Sequence, residues 1–301
     1  MNDLFILEES KRRIEASESV ISQLHHLVAF RLEKPKMRLE KCMLIISIDV
    51  DVGSKVLGVI NKGKNDANVN RYLSEYTVGK IEEMALPLFA DLFENLIIPV
   101  TFAVRGQLAD VESSVFDLLL DSSVKHDIGS HGYSHRRFKK LSSREAENEL
   151  RMISASMKKF GIIPRSFVFP VNSVAHLNLL EKYGYKCYRG YGDIVHDCMY
   201  IEKLGQLYNI YPSLYLNQGT NSLLLEKILD VAVTKKAPLH LWFHLWNFGE
   251  TEKSMQRSIN RTIFPLLKYA KEKADCGVLI FETMFSAAKK IESGLNPRRN
   301  R

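Results

Sequence analysis

Only four cysteines, Cys42, Cys187, Cys198 and Cys276, occur in the 301 residues of this chain, and none forms a C-x-x-C pair. That excludes the commonest zinc-ribbon and thiol-redox motifs. Their apolar or mixed surroundings are those of free, buried thiols, and a chain of this length needs no disulfide framework. No apolar run approaches the roughly 20 residues that a membrane-spanning helix requires. No arginine-rich run with interleaved aromatics marks a nucleic-acid-binding face. There is no internal repeat and no low-complexity segment. The first residues, Met1-Asn2-Asp3-Leu4-Phe5-Ile6-Leu7-Glu8-Glu9, are acidic and lack an uninterrupted apolar stretch. No signal peptide is therefore expected, and a cytoplasmic location follows by default.

What is present is ordinary for a globular enzyme-sized domain. Hydrophobic residues make up 46% and charged residues 26%, within the usual range. The formal net charge of +7 is concentrated partly between Lys34 and Lys41 and partly in the tail Asn296-Pro297-Arg298-Arg299-Asn300-Arg301. An excess of this size can favour an anionic substrate or surface, but solubility alone accounts for it.

Helical spacing of Ile14, Val20, Ile21, Leu24, Leu27 and Val28 predicts a helix over about residues 5–31, with Pro35 beyond its end. It reads as an extension packed on the main body, or alternatively as a dimerisation helix. From there the pattern alternates between apolar runs and amphipathic stretches. Strands are expected at 43–48, 97–104, 126–131, 166–169, 185–188, 239–243 and 277–281. Helices are expected at 82–95, 115–120, after Ser142, at 175–183 and at 254–273. Ser142 and Glu145 have capping-box spacing. The stretch 190–216 is the least patterned and reads as long loops. Alternation of this kind implies an α/β fold with a parallel sheet, and about seven strands can close into a barrel. The expected organisation is an N-terminal helical extension (1–39), a barrel (40–293) and a basic tail (294–301).

The polar clusters fall at the C-terminal ends of expected strands, the end that carries the active site in parallel barrels. Asp49-Val50-Asp51 can point two carboxylates at one region, one to hold a metal and one free to take a proton; alone, the pair could equally cap a helix. His131-Gly132-Tyr133-Ser134-His135 places two imidazoles in a glycine-containing turn. Two histidines and the carboxylate of Asp51 make a familiar zinc set with open positions. In Leu239-His240-Leu241-Trp242-Phe243-His244, strand alternation puts His240, Trp242 and His244 on one face. His244, at the strand end, could act as general acid, whereas His240 reads as structural. Trp246 and Phe248 could wall the site or simply pack. Pro170 can leave the N–H of Val171 free to meet an oxyanion.

In order along the chain, from about Leu44 to Phe285, these segments resemble the polysaccharide deacetylases, the NodB-like carbohydrate esterase family 4 type. Ser47 to Asp51 looks like the first motif in its D-x-D form, found near peptidoglycan deacetylases and allantoinase-like enzymes. Val100 to Val104 resembles the second-strand signature, and His126 to His135 the histidine motif, the most specific of the set. Ser166 to Asn172 looks like the third motif, and Trp242-Phe243-His244 like the last. The resemblance implies an irregular (β/α) barrel of about seven parallel strands with an added N-terminal helix. It implies Asp49 as general base, Asp51, His131 and His135 as metal ligands, His244 as general acid and the Val171 N–H as oxyanion donor. Tyr133, Pro170, Asn172 and Trp246 are the candidate substrate contacts. Where relatives carry an arginine that orients the base, this chain has Val168 and Val171; Arg165 and Arg189 are the candidates to replace it.

The expected activity is metal-dependent hydrolysis of an N-acetyl group on an amino sugar that is glycan-, lipid- or nucleotide-linked. Zinc is the default ion, with cobalt, nickel or manganese as alternatives. The partners expected are such a sugar or another small amide and a second copy of the chain, with no nucleic acid and no transmembrane segment. Two rival readings remain at this stage: hydrolysis of small linear or cyclic amides, as in the allantoinase-like branch, and a carbohydrate-binding barrel without turnover.

Overall fold

A computed structural model of the chain describes residues 20–34, 36–51, 84–111, 113–191, 198–249 and 251–294. The central element is β1 (Cys42–Val50), buried along its whole length. Period-2 alternation divides its side chains between two environments. Leu44, Ile46, Ile48 and Val50 join the larger core beneath the helices, while Met43 and Ile45 face a second, smaller core. Ser47 and Asp49 continue that second row, so the inner face of β1 turns from apolar to polar toward its C-terminus.

The other strands are β2 (Thr101–Val104), β3 (Asp127–Ser130), β4 (Ser166–Val168), β5 (Cys187–Arg189), β6 (Ile201–Leu204), β7 (Leu207–Ile210), β8 (Leu214–Tyr215), β9 (Pro238–His244) and β10 (Leu279–Glu282). They form one sheet in the order β6-β7-β5-β4-β3-β2-β1-β9-β8, with β10 paired beside the first half of β1. Every pairing is parallel except the β6–β7 hairpin. The sheet curls. Between β5 and β1 lie three strands, which would separate the two by roughly 19 Å in a flat sheet. Yet Nη2 of Arg189 on β5 reaches Oδ2 of Asp49 on β1 at 2.5 Å. The architecture is thus an α/β fold with a curled, irregular (β/α) barrel, as expected.

A helix, Met284–Glu292, closes the interior from the end opposite Asp49, with Met284, Ala287 and Ala288 in the smaller core. Thr283 caps it, and the N–H groups of Met284 and Phe285 donate to Thr101 Oγ1 (2.8 Å) and Asp127 Oδ2 (3.4 Å). The helix Ser143–Lys158 has the anticipated Ser142–Glu145 capping box.

Three expectations need correction. The strand foreseen at 97–104 begins only at Thr101, because Ile97 is the left-handed C-cap of helix Leu86–Leu96 (φ 54°). The stretch 190–216 holds β6, β7 and β8 rather than only loops; they are four, four and two residues long, too short to show periodicity. Cys276 is exposed, while Cys42, Cys187 and Cys198 are buried. The first helix is described over 20–32 and packs Leu27 and Phe30 on the barrel. Its foreseen part over 5–19 and the tail from 295 lie outside the described residues, as does the helix start at 82. No helix among the described residues is long and apolar enough to cross a membrane.

Candidate metal centre

The parallel register of the sheet places the polar clusters side by side. Asp49 is level with Ala103 on one neighbour and His244 on the other. Asp51 follows one residue beyond β1, and His131 one residue beyond β3. One potential ligand atom from each of Asp51, His131 and His135 lies within 4.8 Å of the others. His135 Nε2 is 3.1 Å from His131 Nε2 and 3.4 Å from Asp51 Oδ2. Bonds of about 2.0–2.1 Å to a tetrahedral zinc would separate neighbouring ligands by roughly 3.3–3.4 Å, so the donor spacing fits.

The protonation chemistry fits as well. The Nδ1 of His131 lies 2.9 Å from the Val168 carbonyl, which can only accept, so Nδ1 carries the proton and Nε2 presents its lone pair. Burial lowers the pKa of His131 to about 4 and that of His135 to about 3, which keeps both rings neutral at physiological pH. Asp51 Oδ2 is buried with no hydrogen-bond partner. A buried carboxylate oxygen without a hydrogen-bond donor is costly unless a cation completes it. The other oxygen, Oδ1, accepts from Trp246 Nε1 at 3.4 Å.

Asp49 is a different kind of carboxylate. Burial alone would push its pKa up, but the Arg189 guanidinium, with His131 and His244, outweighs this and holds it well below the usual carboxylate range. Arg189 Nη1 also donates to Ser47 Oγ (2.8 Å), and its guanidinium lies 4.4 Å from the centre of the Trp242 ring. Asp49 Oδ1 has no partner and remains free. Arg165 is engaged elsewhere, by the Gly184 carbonyl at 2.8 Å. Arg189 is therefore the arginine that supports Asp49.

His244 Nε2 lies 3.6 Å from Asp49 Oδ2 and 3.8 Å from Asp51 Oδ2. Its backbone N–H and Nδ1 both approach Asn247 Oδ1, at 2.7 and 3.2 Å, so Nδ1 donates and Nε2 faces the site. The Trp246 ring stacks on it, with centroids 4.5 Å apart. His240 is fully enclosed, between Ser47 Oγ (2.8 Å) and the Ile210 carbonyl (3.2 Å), a structural role. Val171, with φ 55°, sits in the short turn Pro170–Asn172. Its N–H, at the start of a turn, has no intrahelical carbonyl to reach. Tyr133 has a side-chain partner outside the ligand cluster. Its hydroxyl donates to Asp110 at 2.9 Å, an aspartate also held by Ser156 and Lys159.

Sequence reasoning overlooked Arg105 and Glu149, both buried beside this cluster. For Glu149 a signal existed: it interrupts the apolar stripe Ala146, Leu150, Ile153 and Met157 on one helical face.

The family model described as Polysaccharide deacetylase matches residues 77–188, a segment that contains the histidine loop but neither the aspartate pair nor His244. Together with the relatives that follow, this bears out the resemblance to polysaccharide deacetylases. A peptidoglycan deacetylase of Helicobacter pylori is 23% identical over 150 residues, covering 49% of this chain and 48% of the relative, so the chain matches about half the length of that protein. Among solved structures, a Mycobacterium smegmatis protein classed as a polysaccharide deacetylase aligns with a TM-score of 0.67 at 14% identity, covering 89% of this chain and 97% of that one. A Pseudomonas aeruginosa protein of the same class gives 0.60 at 13%, covering 84% and 91%. An allantoinase gives 0.59 at 14%, covering 86% and 92%. At these identities the structural likenesses establish the fold.

Proposed function

We propose that the protein is a metal-dependent amidohydrolase that removes the N-acetyl group of an amino sugar. The observation that carries this reading is the convergence of Asp51, His131 and His135 on one point, with a free carboxylate oxygen of Asp49 and the Nε2 of His244 beside it. Asp51, His131 and His135 would hold one divalent ion, zinc by the chemistry of two nitrogens and one oxygen. Such an ion, when bound, lowers the pKa of water and polarises a carbonyl.

The remaining work falls to the chain itself. Asp49 accepts the proton of the attacking water, and Arg189 keeps that carboxylate ionised and fixed in direction. The N–H of Val171 donates to the developing oxyanion. His244 delivers a proton to the leaving amine, which departs poorly without one. Trp246, stacked on His244, keeps the acid in place and bounds the site on that side, while Pro170 and Asn172 line the turn opposite. The similarity to a peptidoglycan deacetylase favours an N-acetylated sugar as substrate; the allantoinase fold likeness makes a small amide the second reading.

Acetate release, measured across N-acetylated amino sugars with metal content determined on the same samples, tests the proposal. The intact protein should carry about one ion per chain and release acetate. His131→Ala and His135→Ala should each lose the ion and the activity while keeping the fold. Full metal occupancy in both variants would contradict the ligand assignment. Ammonia release from a small linear amide, or ring opening of a cyclic amide to its amino or ureido acid, with no acetate from any sugar, would favour the second reading.

A further inference from the structure

Residues 131–135 leave β3 as irregular backbone, with Gly132 at φ 72° and His135 at φ 60°. Irregular backbone can hold two ring nitrogens 3.1 Å apart only if its peptide groups are fixed from outside. On one side, the N–H groups of Gly106 and Gln107 donate to the carbonyls of Gly132 (2.9 Å) and Tyr133 (3.1 Å). Close approach needs glycine here, since a Cβ at Gly106 would lie 3.0 Å from the Tyr133 ring. On the other side stands Glu149. Its Oε2 accepts the N–H groups of Tyr133 (3.0 Å) and Ser134 (2.9 Å), and its Oε1 accepts the Ser134 hydroxyl.

Glu149 is only 4% exposed, and burying a carboxylate is expensive unless it is fully engaged. It is engaged by three donors of one loop and by no side chain of the three proposed ligands. Arg105 is fully buried, and burial lowers its pKa to about 10 against the opposing pull of Asp51 and Glu149. The Arg105 backbone N–H also bonds the Val50 carbonyl, directly before Asp51 (3.1 Å).

We propose that Glu149 is a positioning residue for the metal centre: it sets the geometry of His131 and His135 by clamping the peptide groups between them, although it touches no ligand atom. This rests on the metal-dependent reading above. Mutating outer partners of this kind typically costs about 10–100-fold in metal affinity.

The test is zinc affinity of the purified full chain by competition against a chelator, with melting curves recorded in the metal-free and zinc-loaded states. Glu149→Ala and Glu149→Asp should bind zinc about 10–100-fold more weakly, since alanine has no acceptor and aspartate is one methylene too short. Glu149→Gln should keep most of the affinity, because one amide oxygen can accept both N–H groups while its NH₂ meets a turned Ser134 hydroxyl. Ser134→Ala removes a single arm and should cost less than Glu149→Asp. If Glu149→Ala does not fold, the contrast between Asp and Gln at this position still decides. Wild-type zinc affinity in the folded Glu149→Asp or Glu149→Ala protein, with only the metal-free melting temperature lowered, would reduce Glu149 to a packing residue. Should the unaltered chain itself bind no zinc, the metal-dependent reading fails instead, and the two failures are told apart.

Discussion

Arg189 lies 140 residues from Asp49 in the chain, yet it supplies the charge that decides the behaviour of that carboxylate. Both groups are buried, and such a pair is costly to break: removing one partner leaves an uncompensated charge and destabilises by about 3–5 kcal/mol. Arg189→Met is therefore expected to lower stability by that order and to change the chemistry. Without the guanidinium, burial dominates and the Asp49 pKa rises. The kcat–pH profile should then gain an acid limb at higher pH than any limb in the unaltered protein, with metal content retained. An unchanged profile in the folded variant would mean that Arg189 only packs. Arg189 was one of two candidates visible in the sequence. Arg165 was equally plausible there, because only the curl of the sheet distinguishes a strand-end arginine that faces inward from one that bonds the next turn.

Among the elements, β1 was legible as an apolar run that ends on Asp49, and β9 because its alternation is long enough to read: His240, Trp242 and His244 occupy one face in both sequence and structure. Strands of two to four residues, β6 to β8, offered no such period. Helix Met284–Glu292 was not foreseen as the plug of the barrel interior, since its small inward residues Ala287 and Ala288 carry no strong pattern. Its N-terminus meets Asp127, whose Oδ2 accepts from Thr101 (3.0 Å), Ser166 (2.6 Å) and the Phe285 N–H. Burial nonetheless raises the pKa of Asp127. A folded pKa above the unfolded value contributes stability at low pH, below the unfolded carboxylate range, and that contribution is lost as pH rises through the folded value. Asp127→Asn removes this penalty. Its melting temperature, relative to the unaltered protein, should improve as pH is raised from about 4 to 7. A variant that falls further behind at pH 7 would show instead that the helix N-terminus rewards the negative charge.

Over the whole molecule, the site is assembled from strand ends far apart in the chain: Asp51 meets Trp246 across 195 residues. Each motif alone was weak, and their common placement at one end of a parallel sheet is what made them readable together. Glu149 and Arg105, buried beside the motifs, lay outside every one of them, and only the break that Glu149 makes in an apolar helical stripe marked either in the sequence. The account as a whole turns on the division of labour between the two aspartates, one holding metal and one moving a proton. Asp49→Asn separates these roles, because an amide leaves the ligand set intact but cannot accept the proton. Metal content and kcat measured on the same Asp49→Asn preparation are the most direct test. The account predicts metal occupancy equal to that of the unaltered protein and a kcat reduced by about 10²–10⁴-fold. Loss of the metal from Asp49→Asn, with occupancy retained in Asp51→Asn, would contradict it.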